Sequence, residues 1–291
     1  WTGRPDFSTT FYFFAGFIVV FVIGGVSGFM TGSVPVDWQL TDTYFVVAHI
    51  HYVLIGWNLF AVLGALYHWF PKMSGRMLDE KLGKISFWFV FIGFNVGFFP
   101  MHITGLLGMP RRVYTYSADM GWSTLNLISS IGAFVLAIGL LITLFNIMKS
   151  RRVGKLAGPN PWDADTLEWS TTSPPPPYNF LVIPTVASRS PLWEDRLGET
   201  RASTPDRGFA LDHGKETLGT TMLDAVPDVI VKMPEDSLAP LLLSLALAAL
   251  FTTMMLEAWW WLGVSIIAIL IITMAWLWPR RNLGEIEGST S

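Results

Sequence analysis

Two histidines, His49 and His51, lie inside a stretch that carries no Asp, Glu, Lys or Arg from position 44 to position 70. Ionisable side chains in such apolar helices are costly and usually face a site or a partner. At about 100° per residue, positions i and i+2 of an α-helix point roughly 200° apart. The two imidazoles therefore leave on opposed faces and cannot share one metal ion as an i, i+4 pair can. They can each hold a separate group, one on either side of the rod. Neutral imidazole is a common axial ligand of haem iron and needs no charged partner in a membrane. The plainer alternative is a pair of core histidines, each satisfied by hydrogen bonds.

A second chemical feature is a pair of cations. Arg111 and Arg112 follow Gly108-Met109-Pro110 beyond the third apolar run, while the loop before the second run carries Asp37 and Asp42 and no base. The loop before position 85 carries Lys72, Arg76, Lys81 and Lys84, the exit from the fourth run Lys149, Arg151, Arg152 and Lys155, and the end of the last run Arg280 and Arg281. All of these fall on one side if the spans alternate, and that side is cytoplasmic. Arg111 and Arg112 are left on the outer side, where a bound anion near the membrane surface would account for them.

The elements that position these groups follow from composition. Of 291 residues, 52% are hydrophobic and only 14% charged, with a net charge of −3 and a mean hydropathy of +0.46. Soluble domains carry roughly 25% charged residues, so a disordered chain and an ordinary soluble enzyme are both disfavoured. The acidic balance offers no basic face to nucleic acid. The sequence has no cysteine, which excludes disulfides, cysteine nucleophiles and thiolate metal sites. A bilayer core of about 30 Å needs about 20 helical residues. Uncharged runs at 11–30, 44–70, 85–107 and 122–148 meet that length; 239–256 is marginal, and 258–278 follows it. The predicted fold class is all-α, a polytopic membrane helix bundle of about six transmembrane helices with a Pro-rich cytoplasmic linker.

Only Glu257 separates the last two runs, which read as a tight hairpin with Trp259, Trp260 and Trp261 as an interfacial anchor. The linker, 151–237, holds more than half of the 18 prolines, among them Pro174, Pro175, Pro176 and Pro177. That run is extended polyproline. The linker is expected to drape over a partner with little core of its own and with His213 in solvent. The organisation is thus 1–150, four spans; 151–237, linker; 238–291, hairpin and tail. No signal-peptide pattern is evident, and the sequence starts at Trp1. The expectation is a C-terminal portion of something longer.

At this point a family is recognisable. Thr43-Tyr44-Phe45-Val46-Val47-Ala48-His49-Ile50-His51-Tyr52-Val53-Leu54 resembles the haem-bearing helix of subunit I of the haem–copper terminal oxidases. The likeness continues through His68-Trp69-Phe70-Pro71, Phe98-Phe99-Pro100-Met101-His102 and Gly105-Leu106-Leu107-Gly108-Met109-Pro110-Arg111-Arg112. It reaches Thr166-Leu167-Glu168-Trp169-Ser170 and the four prolines before Tyr178-Asn179-Phe180. It covers residues 1 to about 190, whose four spans look like the last four of that family's core.

The resemblance implies that His49 is the axial ligand of the high-spin haem, where oxygen binds, and that His51 is one of two ligands of the low-spin haem. It implies that Arg111 and Arg112 hold haem propionates, for which guanidinium forks are suited, with Asp37 an acid nearby. Asp42 matches a magnesium ligand, although Thr41 stands where many members place a second, histidine ligand. Ile50 replaces a common Phe. His68 and His102 read as structural, with a place near a haem edge as the alternative for His102.

The family's copper ligands, its histidine–tyrosine pair, the second low-spin ligand and the proton-channel entrances are on helices outside this sequence. The implied activity is that of a cytochrome c oxidase, reducing oxygen to water with proton translocation in a bacterial inner membrane. The implied partners are the rest of subunit I, subunit II with dinuclear copper, subunit III, cytochrome c and membrane lipid, with no nucleic acid. The dinuclear copper needs thiolates, which this chain lacks. A quinol oxidase of the same superfamily and a cofactor-free membrane scaffold or transporter are the alternatives. The late hairpin reads as an anchor, or as the start of a subunit III fusion.

Overall fold

A computed structural model describes residues 5–176, 179, 180, 186, 189–193, 216–224, 226–232 and 236–278. Trp1, Pro177, Tyr178, His213, Arg280 and Arg281 lie outside the described residues. The described residues fall into two compact units, one carrying the first four long helices and the other the last two. The architecture is an all-α membrane helix bundle.

The first three long helices start where a side chain satisfies one or more of their free N–H groups. For α1 (Thr9–Gly32), the Ser8 hydroxyl accepts from the Phe11 N–H. A short α2 (Val34–Leu40) follows, with a proline in its first turn. The second span, α3 (Tyr44–Ser74), is capped by Thr43, whose hydroxyl accepts from the Phe45 N–H at 3.2 Å. Asp79 caps α4 (Glu80–Leu106) by accepting from the Lys81 and Leu82 N–H groups. The fourth span is α5 (Ser123–Val153). These helices outrun the apolar stretches because Lys81, Lys84, Lys149, Arg151 and Arg152 continue them. Lys and Arg are good helix formers whose stems reach past the hydrocarbon. The 31 residues of α5 span about 46 Å, well beyond the bilayer core.

Two features shape α3. It contains a wide π turn, His51–Gly56, of a kind that recurs at functional sites. Gly56 in that turn packs directly against Val20 and Phe94, leaving no room for a Cβ. Gly75 then ends the helix with φ 70°, a left-handed conformation that glycine adopts freely. Around α3 the buried rings of Phe13, Tyr52, Phe60, Tyr67, Phe87 and Phe94 form one aromatic core.

The seam between α4 and α5 is different in kind. Gly93 and Gly97 of α4 meet the main chain of α5, and Gly132 and Gly139 of α5 meet the main chain of α4. Ser86 Oγ is 3.0 Å from the Gly139 carbonyl oxygen and 2.5 Å from Thr143 Oγ1. Small residues and interhelical hydrogen bonds are what hold helices together where lipid is as apolar as leucine.

The first part of the predicted linker buries itself on α3. Lys72 is 7% exposed, and its Nζ donates to the carbonyl oxygens of Pro159 at 2.9 Å and Thr171 at 2.8 Å. The Trp169 ring lies 5.2 Å from the same nitrogen. Trp162 stacks on His68 and donates to its carbonyl oxygen at 2.8 Å. Farther on, β1 (Glu216–Thr220) and β2 (Pro227–Lys232) pair as a two-stranded sheet. The linker reading contained no strand; the Val229-Ile230-Val231 run supplies the β-branched residues that favour one.

In the second unit, α6 (Ala239–Met255) and α7 (Trp259–Leu277) meet at Glu257, which has φ 53°. Among the described residues, five helices are long and apolar enough to cross a membrane. The remaining apolar helix, α6, has 17 residues, which reach about 26 Å and fall short of a full crossing. The expected six spans are thus five long helices and one short one.

Candidate functional site

The second span places His49 and His51 against different neighbours. His49 faces α1: its Nδ1 lies 3.1 Å from the Gly24 carbonyl oxygen and 3.0 Å from Ser27 Oγ. A carbonyl oxygen can only accept, so Nδ1 carries the proton. The Ser27 hydroxyl donates to the same Gly24 oxygen at 2.9 Å, which leaves its oxygen free to accept from Nδ1–H. Gly28 completes this shelf: a Cβ there would stand 2.8 Å from His49 Cε1.

His51 faces α4. Its ring stacks on Phe98 with centroids 4.4 Å apart and planes 16° from parallel. Its Nδ1 is 2.7 Å from the Val47 carbonyl oxygen one turn back on its own helix. The same logic puts the proton on Nδ1. Both imidazoles are therefore held as the Nδ1–H tautomer, with the basic lone pair on Nε2. Neither Nε2 has a hydrogen-bond partner among the described residues. The departure in different directions that 100° per residue requires is realised, since one ring meets α1 and the other α4.

The loops before α3 and after α4 converge on the start of α3. The Tyr44 N–H donates to the Met109 carbonyl oxygen at 2.9 Å and the Arg111 N–H to the Asp42 carbonyl oxygen at 2.8 Å. Thr43 and Pro110 form a β-bridge between them. Gly105 presses on the main chain of Phe45 so closely that only glycine fits. Arg111 thereby pairs with Asp42, while its Nε is buried without a partner. Asp42 and Arg112 both adopt positive φ, 57° and 68°, and Arg112 is exposed. Asp42 stands two positions before the start of α3, and from Tyr44 to His49 the helix rises about 7.5 Å. Asp37 sits half-buried on α2 and makes no ion pair among the described residues.

The other two histidines behave differently. His102 is 7% exposed, packed on Phe45 and Tyr52 with ring centroids 4.9 Å and 5.4 Å away. Its Nδ1 lies 3.3 Å from the Phe99 carbonyl oxygen and its Nε2 is buried without a partner. His68 lies among Trp69, Trp162 and Trp169. Sequence reasoning did not single out Gly24, Ser27, Gly28 or Phe98. A signal was available for the first three, since small residues at 24, 27 and 28 share one face of an otherwise bulky apolar helix.

Residues 1–135 match the family described as Cytochrome C and Quinol oxidase polypeptide I. Cytochrome c oxidase subunit 1 of Bacillus sp. (strain PS3) is 42% identical over 274 residues, covering 93% of this chain and 41% of that protein. The subunit of Bacillus subtilis (strain 168) is 42% identical over 248 residues, covering 85% and 37%. That of Thermostichus vulcanus is 50% identical over 186 residues, covering 64% and 33%. The chain spans about two fifths of the length of the curated relatives it matches. With that likeness joined to two imidazoles turned outward from one membrane span, the chain belongs to the haem–copper terminal oxidase subunit I family, of which it is a part.

Proposed function

We propose that this chain supplies one axial ligand to each of two haems. His49 would serve the high-spin haem at which oxygen is reduced, and His51 the low-spin haem that passes it electrons. The complete protein would be a cytochrome c oxidase subunit I that reduces oxygen to water with proton translocation in a bacterial cell membrane. One observation carries this reading: each Nδ1–H is engaged by a main-chain carbonyl oxygen, and each Nε2 is unengaged. A ligating histidine usually donates its other N–H in this way, which fixes the tautomer and raises the basicity of the ligating nitrogen.

The haem irons, when bound, supply the electron transfer and the oxygen binding. The chain's own residues hold and orient. The Gly24 and Ser27 acceptors fix the rotation of the His49 ring, and Phe98 fixes that of His51. Arg111 has a buried Nε–H with no acceptor, and a carboxylate such as a haem propionate suits that donor. Arg112 adds a second cation at the same turn, and Asp37 is the acid on the same outer side. Asp42 serves as the counter-ion of Arg111. With its carboxylate so engaged and Thr41 beside it, Asp42 does not fit a magnesium ion by this chain's residues alone. The copper, the second low-spin ligand and the electron entry belong to the rest of subunit I and to subunit II, with subunit III completing the complex.

The test uses the assembled oxidase with full-length subunit I and reads reduced-minus-oxidised absorbance. His49→Ala removes the high-spin signal and His51→Ala the low-spin signal. Unaltered spectra in both variants overturn the proposal.

A further inference from the structure

The two proposed ligands are held unequally. His51 has one acceptor, a carbonyl oxygen on its own helix. His49 has two, both on another helix, and one of them is a side chain. Ser27 is 4% exposed, and its hydroxyl donates to the Gly24 oxygen while lying 3.0 Å from His49 Nδ1. A hydroxyl that is already donating is a better acceptor, because hydrogen bonds in a chain polarise one another. Gly28 acts by shape. A Cβ at that position would meet Cε1 of the ring at 2.8 Å, closer than real Cβ atoms come to neighbours. The Gly28 main chain is fixed inside α1, so the imidazole would have to rotate or withdraw.

We infer that Ser27 and Gly28 are positioning residues for His49, Ser27 setting the basicity of its Nε2 and Gly28 the angle of its ring. The inference rests on His49 being an iron ligand. A partial anionic character passed to the imidazole strengthens its bond to iron, and this character grows with the hydrogen bond that Nδ1–H donates. Removing the hydroxyl leaves the Gly24 carbonyl as sole acceptor and weakens that bond without removing the ligand.

The experiment measures the iron–histidine stretching band of the reduced high-spin haem in the assembled oxidase, by resonance Raman scattering, beside the low-spin absorbance. Ser27→Ala shifts the band to lower frequency, and Ser27→Thr, which keeps the hydroxyl, leaves it near the wild-type position. Gly28→Ala shifts or splits the band, or loses the high-spin haem alone. The low-spin signal is unchanged throughout. If Ser27→Ala and Gly28→Ala both leave the band in place while His49→Ala abolishes it, the positioning role is overturned and the ligand reading stands. If both variants lose both haems and Ser27→Thr is no better, these residues serve folding and the inference is likewise overturned. If His49→Ala itself retains the band, the ligand reading falls first.

Discussion

The α4–α5 and α6–α7 pairs each contain a helix of nearly equal apolarity, yet the two pairs are built in opposite ways. The most apolar windows of α5 and α7 have mean hydropathies of 2.5 and 2.2. Yet α5 buries Ser129, Gly132, Gly139, Thr143, Asn146 and Ser150 and turns Leu127, Ile131, Phe134, Leu141 and Phe145 outward. In the α6–α7 pair only Ser265 is buried. Apolarity selects the bilayer for both pairs. It does not select a neighbour, since lipid tails satisfy leucine as well as another helix does. What sorts the faces of α5 is a line of small residues that lets main chains touch, and a few polar groups that find partners there.

The strongest way to break this comparison is steric. A Cβ at Gly132 would come within 2.5 Å of the Val96 carbonyl carbon, whereas one at Gly263 of α7 meets nothing within 4 Å. Overpacking typically costs about 1–3 kcal/mol, sometimes more, and here the obstacle is main chain. Gly132→Leu should therefore destabilise the protein by about 3 kcal/mol or prevent assembly, read as a lower unfolding midpoint in detergent. Gly263→Leu should stay within about 0.5 kcal/mol of wild type, as open positions do. Equal effects at the two sites would remove the distinction between the pairs.

A smaller effect is expected from polar groups. Asn146 is fully buried. Its Nδ2 donates to Tyr67 Oη at 3.2 Å and to the Asp79 carbonyl oxygen at 2.9 Å. Its Oδ1 accepts from the Asp79 N–H at 3.1 Å and from Ser150 Oγ at 3.0 Å. Asn146→Ala strands those partners at about 1–3 kcal/mol, measured by the same unfolding midpoint. The counterpart, Ser265→Ala, removes only a bond to the Trp261 carbonyl oxygen on its own helix and should be near neutral.

These contrasts also explain what the sequence made legible. The four long spans of the first unit follow from the length of uncharged runs, and the directions of His49 and His51 from 100° per residue alone. Helix ends were missed by up to five residues, because caps such as Asp79 and helix-forming lysines, not hydropathy, decide where α4 and α5 stop. The Arg111–Asp42 pair was not legible either. It joins residues far apart in sequence, and only the Tyr44–Met109 and Thr43–Pro110 contacts bring them together. The shelf under His49 escaped for a related reason. Glycine and serine in an apolar helix mark a close approach without saying what approaches.

The smallest expected effect is electrostatic, where the start of α4 meets the end of α5. Asp79 lies 2.8 Å from Lys149 Nζ and accepts from the Leu82 N–H. The Lys149 hydrogen bond, then that of Leu82, hold its carboxyl below the ordinary carboxylate range. A lowered folded-state pKa means stability that is present above the unfolded pKa of about 3.9 and is lost as pH falls through the folded value. The Asp79 side chain is 33% exposed, so solvent and salt screen the pair and its worth is only about 0.2–1 kcal/mol. Asp79→Asn keeps a good helix cap and removes the charge. Its unfolding midpoint should therefore lie slightly below wild type near neutral pH, and the gap should close on acidification. Glu257, at the α6–α7 turn, makes no ion pair among the described residues, so Glu257→Gln removes no such contact. An Asp79→Asn profile parallel to wild type would mean that the glycine seam and Asn146 alone distinguish the sorted pair from the unsorted one.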